Sequence, residues 1–451
     1  MKAATFSSDA TPPLGHPLCG GWITPAREIV DPQFAKGVVL VPGDEAGAGS
    51  REPVVLCAVD WCWIRGECHE RFREALAEAA GTRPNRVAVQ TIHVHDAVMA
   101  DLEADRISAR EGHDVRTLQP KWFDDVVQRC AAAVREAARQ LRPVSHIGTG
   151  EGVVSQVACN RRVLGPDGKV KYWRGSSCKD AEARKQPEGV IDPKIKCITL
   201  YDSETLIAAL YYYATHPMSY YGQGGVSADF VGMARKAMEK AVPGAAHIYF
   251  TGCSGNVAAG KYNDGAPANR PVLAERMRVG MEAALKAVRR EPLRSFDWRV
   301  ESLHLPMREE YSRKHFEDMM RARGASLAAQ CKGAMGIADW DRYEAGKKID
   351  LPCLRMNRVA VLHLPGEPFI EYQLAAQEIG TRGQGDKGTS GQGDGAPGRL
   401  FVAVAGYGDA GPAYIPLAKN FTEGGYEVGM AWRGPGSEAM IMGAMERLLR
   451  D

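Results

Sequence analysis

The segment Val87 to His95, VAVQTIHVH, is a β-branched apolar run that reads as a buried strand and ends in His93-Val94-His95. Side chains alternate along a strand, so both imidazoles are expected on one face, where paired ring nitrogens suit a metal ion. An isolated H-x-H reads equally well as two hydrogen-bonded histidines. In Tyr211 to Asp229, YYYATHPMSYYGQGGVSAD, another strand stops at Thr215-His216-Pro217. Pro217 steers His216 to extended backbone, and Gly222, Gly224 and Gly225 permit a close bend. Leu362 to Phe369, LHLPGEPF, closes a third strand in a Pro-Gly turn and presents Glu367 ahead of a helix; the plain reading is a carboxylate favoured by the helix dipole. Two imidazoles and a carboxylate, each at a strand end, are the ligand types of an open catalytic zinc site.

A fourth segment, His247 to Asn256, HIYFTGCSGN, is a strand followed by a turn of small residues. Ser254 lacks the second glycine of G-x-S-x-G, so the turn reads as backbone N–H groups facing an oxyanion rather than a nucleophile elbow. Ser254, Gly255 and Asn256 are then substrate-binding candidates. Nothing near Cys253 in sequence supplies the positive charge that activates a thiol.

These segments need a scaffold of strands that end together. Val54–Val59, Val87–Ile92, Ala246–Phe250, Val359–Leu364 and Leu400–Val404 read as buried strands, and Lys196–Tyr201 with Leu206–Tyr213 as an antiparallel hairpin. Apolar residues recur at three and four spacing in Trp122–Gln140, Phe230–Lys240, Val272–Val288 and Glu438–Leu449, which predicts helices. The expected class is α/β, with mixed β-sheets flanked by α-helices. Thr381 to Gly398 is so rich in Gly and polar residues that a flexible loop is expected, as a lid or a surface insertion. The stretch up to about Gly47 reads as irregular chain wrapping the surface.

The composition bounds the partners. Among 451 residues, 57 Lys and Arg face 55 Asp and Glu, a formal charge of +2, too balanced for an electrostatic search for nucleic acid. No apolar run is long enough to span a membrane and the N-terminus lacks a signal-like apolar region, so a cytoplasmic protein is expected. Eleven scattered Cys suggest reduced thiols rather than a disulfide framework. Cys57, Cys62 and Cys68 lack the paired C-x2-C units of a structural zinc module. A small-molecule substrate remains.

Taken in order, TIHVH (Thr91 to His95), CNRR (Cys159 to Arg162), ATHPMS (Ala214 to Ser219), SADF (Ser227 to Phe230), GCSGNV (Gly252 to Val257), LPGEP (Leu364 to Pro368), and Tyr414 with Tyr426 resemble the catalytic domain of the neutral, non-lysosomal ceramidase family. The resemblance runs from about residue 20 to about residue 430. It implies a single catalytic domain over residues 1–451, without the immunoglobulin-like C-terminal domain common in that family. It also implies a zinc-dependent amidase that cleaves a non-peptide amide with metal-activated water. Carried over residue by residue, His93, His216, Glu367 and Tyr414 bind zinc, while His95, Arg161 and Tyr426 line the reacting centre, with Arg162 beside Arg161 as a substrate-binding candidate. Ala258 stands where the family has a functional Ser. That departure, with the absent signal, implies a substrate with an amide or ester bond other than ceramide. Metal-dependent ester or lactone hydrolysis, an elimination, and an inactive ligand-binding homologue stay open.

Overall fold

Runs of Val, Ile, Leu and Ala pair into three main sheets in the computed structural model, which describes residues 1–43, 51–113, 116–382 and 399–450. The first has the spatial order Val87–Thr91, Val54–Val59, Phe34–Val41, Lys2–Asp9 and Arg142–Pro143. The second runs Ala246–Thr251, Thr205–Tyr213, Lys194–Asp202, His146–Val153 and Arg289–Pro292. The third runs Phe296–Leu303, Ile349–Met356, Val359–His363 and Phe401–Ala405.

Each sheet is antiparallel except for one pair at its edge. Val54–Val59 is parallel to Val87–Thr91, Thr205–Tyr213 to Ala246–Thr251, and Val359–His363 to Phe401–Ala405. Parallel strands carry carboxyl ends side by side, and in open α/β sheets those ends are where ligands bind. The three pairs meet: Thr91 N–H donates to Tyr407 O at 2.9 Å, Gly406 N–H to Thr251 O at 2.8 Å, and Thr251 Oγ1 to Ile92 O at 2.7 Å. One apolar core joins residues of all three sheets, among them Leu56, Ala88, Ile198, Tyr211, Leu354 and Ala403.

Helices flank the sheets where apolar periodicity predicts them: Pro120–Ala137, Asp229–Ala241, Asn269–Lys286 and Ser437–Leu449. The five predicted strands and the hairpin are present within one or two residues at each end. The N-terminal stretch is a correction. Lys2–Asp9 and Phe34–Val41 are inner strands of the first sheet rather than surface wrapping, paired antiparallel with Phe6 opposite Gly37. A Cβ at Gly37 would lie 2.4 Å from the Phe6 ring, so the glycine that looked like a loop residue makes room for a core aromatic. The expected loop at 381–398 lies, beyond Arg382, outside the described residues.

Candidate metal centre

After Thr91 the chain curls across the end of the neighbouring strand, with Ile92 N–H donating to Val59 O and His93 N–H to Trp61 O. The turn needs a left-handed backbone at His93, φ +67°, a conformation rare for a residue with a side chain and frequent at functional sites. This corrects the expectation of strand alternation. His93 and His95 do come together, with ring centroids 4.7 Å apart, but through a turn beyond the strand.

His216 follows the strand Thr205–Tyr213 and is fixed by its N–H, which donates to Val257 O at 2.9 Å. Glu367 follows a turn in which Gly366 takes φ +58° and a Cβ would meet Ala413 O at 2.4 Å. The pair Glu367–Pro368 runs parallel to Tyr414–Ile415, with Glu367 directly opposite Tyr414. That register carries Tyr414 to the same place as the carboxylate. A Cβ at Gly255 would lie 2.4 Å from Glu367 O, so the turn after Thr251 must be glycine for the Glu367 backbone to pass.

The histidines are held in complementary tautomers. His93 Nδ1 donates to Cys62 O at 3.0 Å and His216 Nδ1 to Ser254 O at 2.6 Å. With the Nδ1 protons committed to carbonyls, each ring turns its Nε2 inward; the two nitrogens lie 3.2 Å apart, and Arg161 Nη1 approaches His216 Nε2 at 3.4 Å. Two lone pairs at that distance repel unless a cation lies between them. Glu367 Oε2 is 3.4 Å from His93 Nε2 and 3.1 Å from His216 Nε2, buried and without a hydrogen-bond donor. An orphaned buried carboxylate oxygen is costly. The donor set fits a divalent metal of the zinc type, which accepts imidazole nitrogen and carboxylate oxygen.

The electrostatics agree. Burial pushes the Glu367 carboxyl up, but His93 and His216 outweigh it and hold the group well below the usual carboxylate range. Burial pushes His216 down to about 4. At neutral pH Glu367 is therefore a carboxylate beside His216. Cys62, His93 and His95 form a second grouping of metal-ligand types, yet Cys62 Sγ lies 3.9 Å from His93 on its Nδ1 edge, the nitrogen already given to Cys62 O.

The remaining residues expected from the sequence fall into two sets. Tyr414 Oη lies 3.4 Å from His216 Nε2 and accepts from Arg161 Nη1 at 3.0 Å. His95 borders the cavity, its Nδ1 without a partner, and burial beside His93 and His216 holds its pKa well below the ordinary value. Tyr426 packs edge-on to Tyr414 at 5.9 Å and is 44 % exposed at the cavity mouth. These three residues sit around the cluster.

The other set is enclosed in protein. Arg161 is placed by the short ladder of Cys159–Asn160 with Val257–Ala258, its N–H donating to Asn256 O. Its Nε lies 3.2 Å from Glu427 Oε1, and its guanidinium stacks over Trp173. Arg162 pairs with Glu427 at 3.2 Å and Glu423 at 3.0 Å. Ser254 Oγ bonds Tyr407 Oη at 2.7 Å; Gly255 N–H donates to Pro368 O, and Cys253 N–H to Gln373 Oε1. Asn256 Oδ1 accepts from Ile370 N–H while its Nδ2 donates to Glu371. Of the N–H groups in the expected oxyanion loop, those of Cys253 and Gly255 are already spent within the protein. Burial pushes the Cys253 thiol up, against a nucleophile. Ala258 is fully buried in its ladder opposite Cys159 and outside the cavity lining.

Sequence reasoning missed Tyr407, which stacks on His93 at 4.3 Å, and Glu427, which anchors both arginines. Tyr407 directly follows the strand Phe401–Ala405 and its Gly, as His93 follows its own strand, so position after a strand end was the available signal. Glu427 adjoins Tyr426 in a short helical turn, Tyr426–Gly429, and nothing local marks it. Cavity walls of Trp63, Met99, Met335, Met430 and Trp432 lead from solvent to Glu367 around a volume of about 60 Å³.

No family model matches the chain, and no curated protein matches it in sequence. Solved ceramidase structures are similar, two of which are compared. A ceramidase complexed with C2 has a TM-score of 0.71 at 16% identity, over 99% of this chain and 74% of that one. The neutral ceramidase from Pseudomonas aeruginosa has a TM-score of 0.71 at 15% identity, with the same coverage. The chain has the ceramidase-like fold, of mixed sheets flanked by helices.

Proposed function

We propose that this protein is a zinc-dependent hydrolase of non-peptide amides, with the whole chain serving as one catalytic unit. The observation that carries the reading is the convergence of two imidazole Nε2 atoms on a buried carboxylate oxygen that has no hydrogen-bond donor. His93, His216, Glu367 and Tyr414 would hold the zinc. When bound, such an ion polarises a carbonyl and lowers the pKa of water from about 15.7 towards about 7. The similarity to two ceramidases supports amide hydrolysis as the reaction class.

The protein's own groups supply the proton traffic. His95, held neutral by burial at the cavity wall, takes a proton from the attacking water and returns it to the leaving amine. Burial pushes the Tyr426 phenol up to about 12, so at neutral pH it stays a donor that can stabilise oxygen charge as the carbonyl becomes tetrahedral. Arg161 directs the Tyr414 hydroxyl, and Glu427 balances its charge, so we read Arg161 as positioning Tyr414 rather than gripping substrate. Arg162, Ser254, Gly255 and Asn256 are read as support for the site rather than as substrate contacts.

Among the described residues no helix is long and apolar enough to cross a membrane. All eleven cysteines are unpaired and buried, which supports a reducing compartment such as the cytoplasm. The test is metal analysis of purified protein followed by a panel of amides, esters and lactones with and without chelator. The expected result is about one zinc per chain, with amide hydrolysis lost to chelator and restored by zinc. A zinc-loaded protein that turns over esters but no amide would overturn the amidase assignment.

A further inference from the structure

The cavity that leads to Glu367 is walled by tryptophans, methionines and cysteines, with one ammonium among them, that of Lys332. Lys332 stands near the start of the helix Leu327–Glu344, one turn before Met335, and both side chains line the cavity. Successive turns place them on the same helix face. Among the described residues no carboxylate pairs with the ammonium, and the one titratable neighbour that influences it is the buried thiol of Cys331, which burial itself pushes up and keeps uncharged. Burial pulls its pKa down, as expected of a partly desolvated cation without a counter-ion.

The contrast with the site's other cations is informative. Arg161 lies against Glu427, and Arg162 is shared between Glu427 and Glu423. Neither guanidinium has net charge left for a substrate. Lys332 does, and it projects into the cavity rather than behind it. A half-buried cation in an apolar wall costs desolvation energy that an incoming anion offsets.

Resting on the reading of this cavity as the substrate entrance, we propose that Lys332 is the counter-ion for an anionic group of carboxylate size on one arm of the amide. The apolar walls take the carbon skeleton of that arm, and the ammonium takes its end. The substrates are then N-acyl amino acids, with the carboxylate on the amine side, or half-amides of dicarboxylic acids, with it on the acyl side, in preference to neutral amides.

The experiment compares each carboxylate substrate with its neutral carboxamide twin, for both an N-acyl amino acid series and a half-amide series; the series that shows the effect identifies the arm. In the wild type kcat/KM should favour the carboxylate by about tenfold or more. Lys332→Met should bring that ratio towards one, chiefly through KM. Lys332→Arg should keep the preference, and Lys332→Glu should reverse it. A ratio that is the same in wild type and Lys332→Met in both series overturns the proposal. Calorimetric binding of the same twins separates this from failure of the hydrolase reading. If nothing is turned over, tighter binding of a carboxylate twin that is lost in Lys332→Met still supports the anion site, and equal binding by the two proteins overturns it.

Discussion

Two clusters of buried charge meet at the Tyr414 hydroxyl, and they are built on opposite principles. In one, Arg161, Arg162, Glu427 and Glu423 lie within 3.0 to 3.2 Å of each other's charges, with Trp173 Nε1 donating to Glu427 at 2.8 Å. In the other, His93, His216 and Glu367 crowd together, with the two Nε2 atoms 3.2 Å apart, Arg161 Nη1 and the Tyr414 hydroxyl 3.4 Å from His216 Nε2, and a carboxylate oxygen without a hydrogen-bond donor. Apart from half-buried Glu423, burial is alike in the two; charge pairing is not. Native interiors leave few polar groups unpaired, so the closed cluster is scaffold and the open one is shaped for something that arrives from outside. A buried charge marks a functional site less reliably than a buried charge whose partners are missing.

The comparison breaks most visibly at Glu367. Glu367→Gln keeps the shape and removes the charge. Loss of a ligand should exceed the 10- to about 100-fold effects typical of groups behind a metal, so dialysed protein should retain no zinc and hydrolyse no amide. Retained zinc at full activity would remove Glu367 from the ligand set. Glu427→Gln probes the closed cluster: two buried guanidiniums lose their shared counter-ion, which costs about 3–5 kcal/mol in chemical denaturation. Zinc stoichiometry should survive in the fraction that folds, and loss of zinc with unchanged stability would reverse the two assignments.

Acid sharpens the contrast through histidines outside both clusters. Burial pushes His16 down to about 4 and His363 to about 3, from an ordinary 6.5. Between those values and 6.5 the unfolded chain binds more protons than the folded one, so stability rises with pH in that window. Denaturation midpoints should therefore fall as pH drops from 6.5 towards 4 and show no contribution from these groups above 6.5. Part of the loss should persist in chelator-treated protein, and midpoints that do not fall with pH in that form would contradict the burial of these rings. The smallest effect is expected at Ser254→Ala, where one hydroxyl bond to Tyr407 is lost, about 1 kcal/mol. Activity should fall less than tenfold, and abolition of activity with zinc still bound would restore a nucleophile reading.

The strands that end at the site were legible because Val87–Thr91, Ala246–Thr251 and Val359–His363 are apolar and β-branched, and the residues just past their ends carry the imidazoles and the carboxylate. The N-terminal strands were hidden by small and polar residues, as in KAATFSSD, whose pairing depends on neighbours distant in sequence. The helix Leu327–Glu344 was obscured by Gly333 and Gly336, which weaken local helix propensity yet admit the Phe316 side of the helix Arg313–Arg321, a Cβ at Gly336 meeting the Phe316 ring at 2.1 Å. At the site, residue types gave the candidate ligands. Tautomers, the orphaned oxygen and the pairing of Arg161 with Glu427 depend on three-dimensional neighbours, and the left-handed turn at His93 is not written in T-I-H-V-H.

The central claim is that His93, His216 and Glu367 form one metal centre without thiolate. Titration of cobalt(II) into chelator-stripped protein, followed by electronic absorption, tests it most directly. The predicted result is saturation at about one ion per chain, with ligand-field bands of nitrogen and oxygen coordination and no thiolate-to-metal charge-transfer band. Absence of uptake would contradict the metal centre itself, and an intense thiolate band would move it to Cys62.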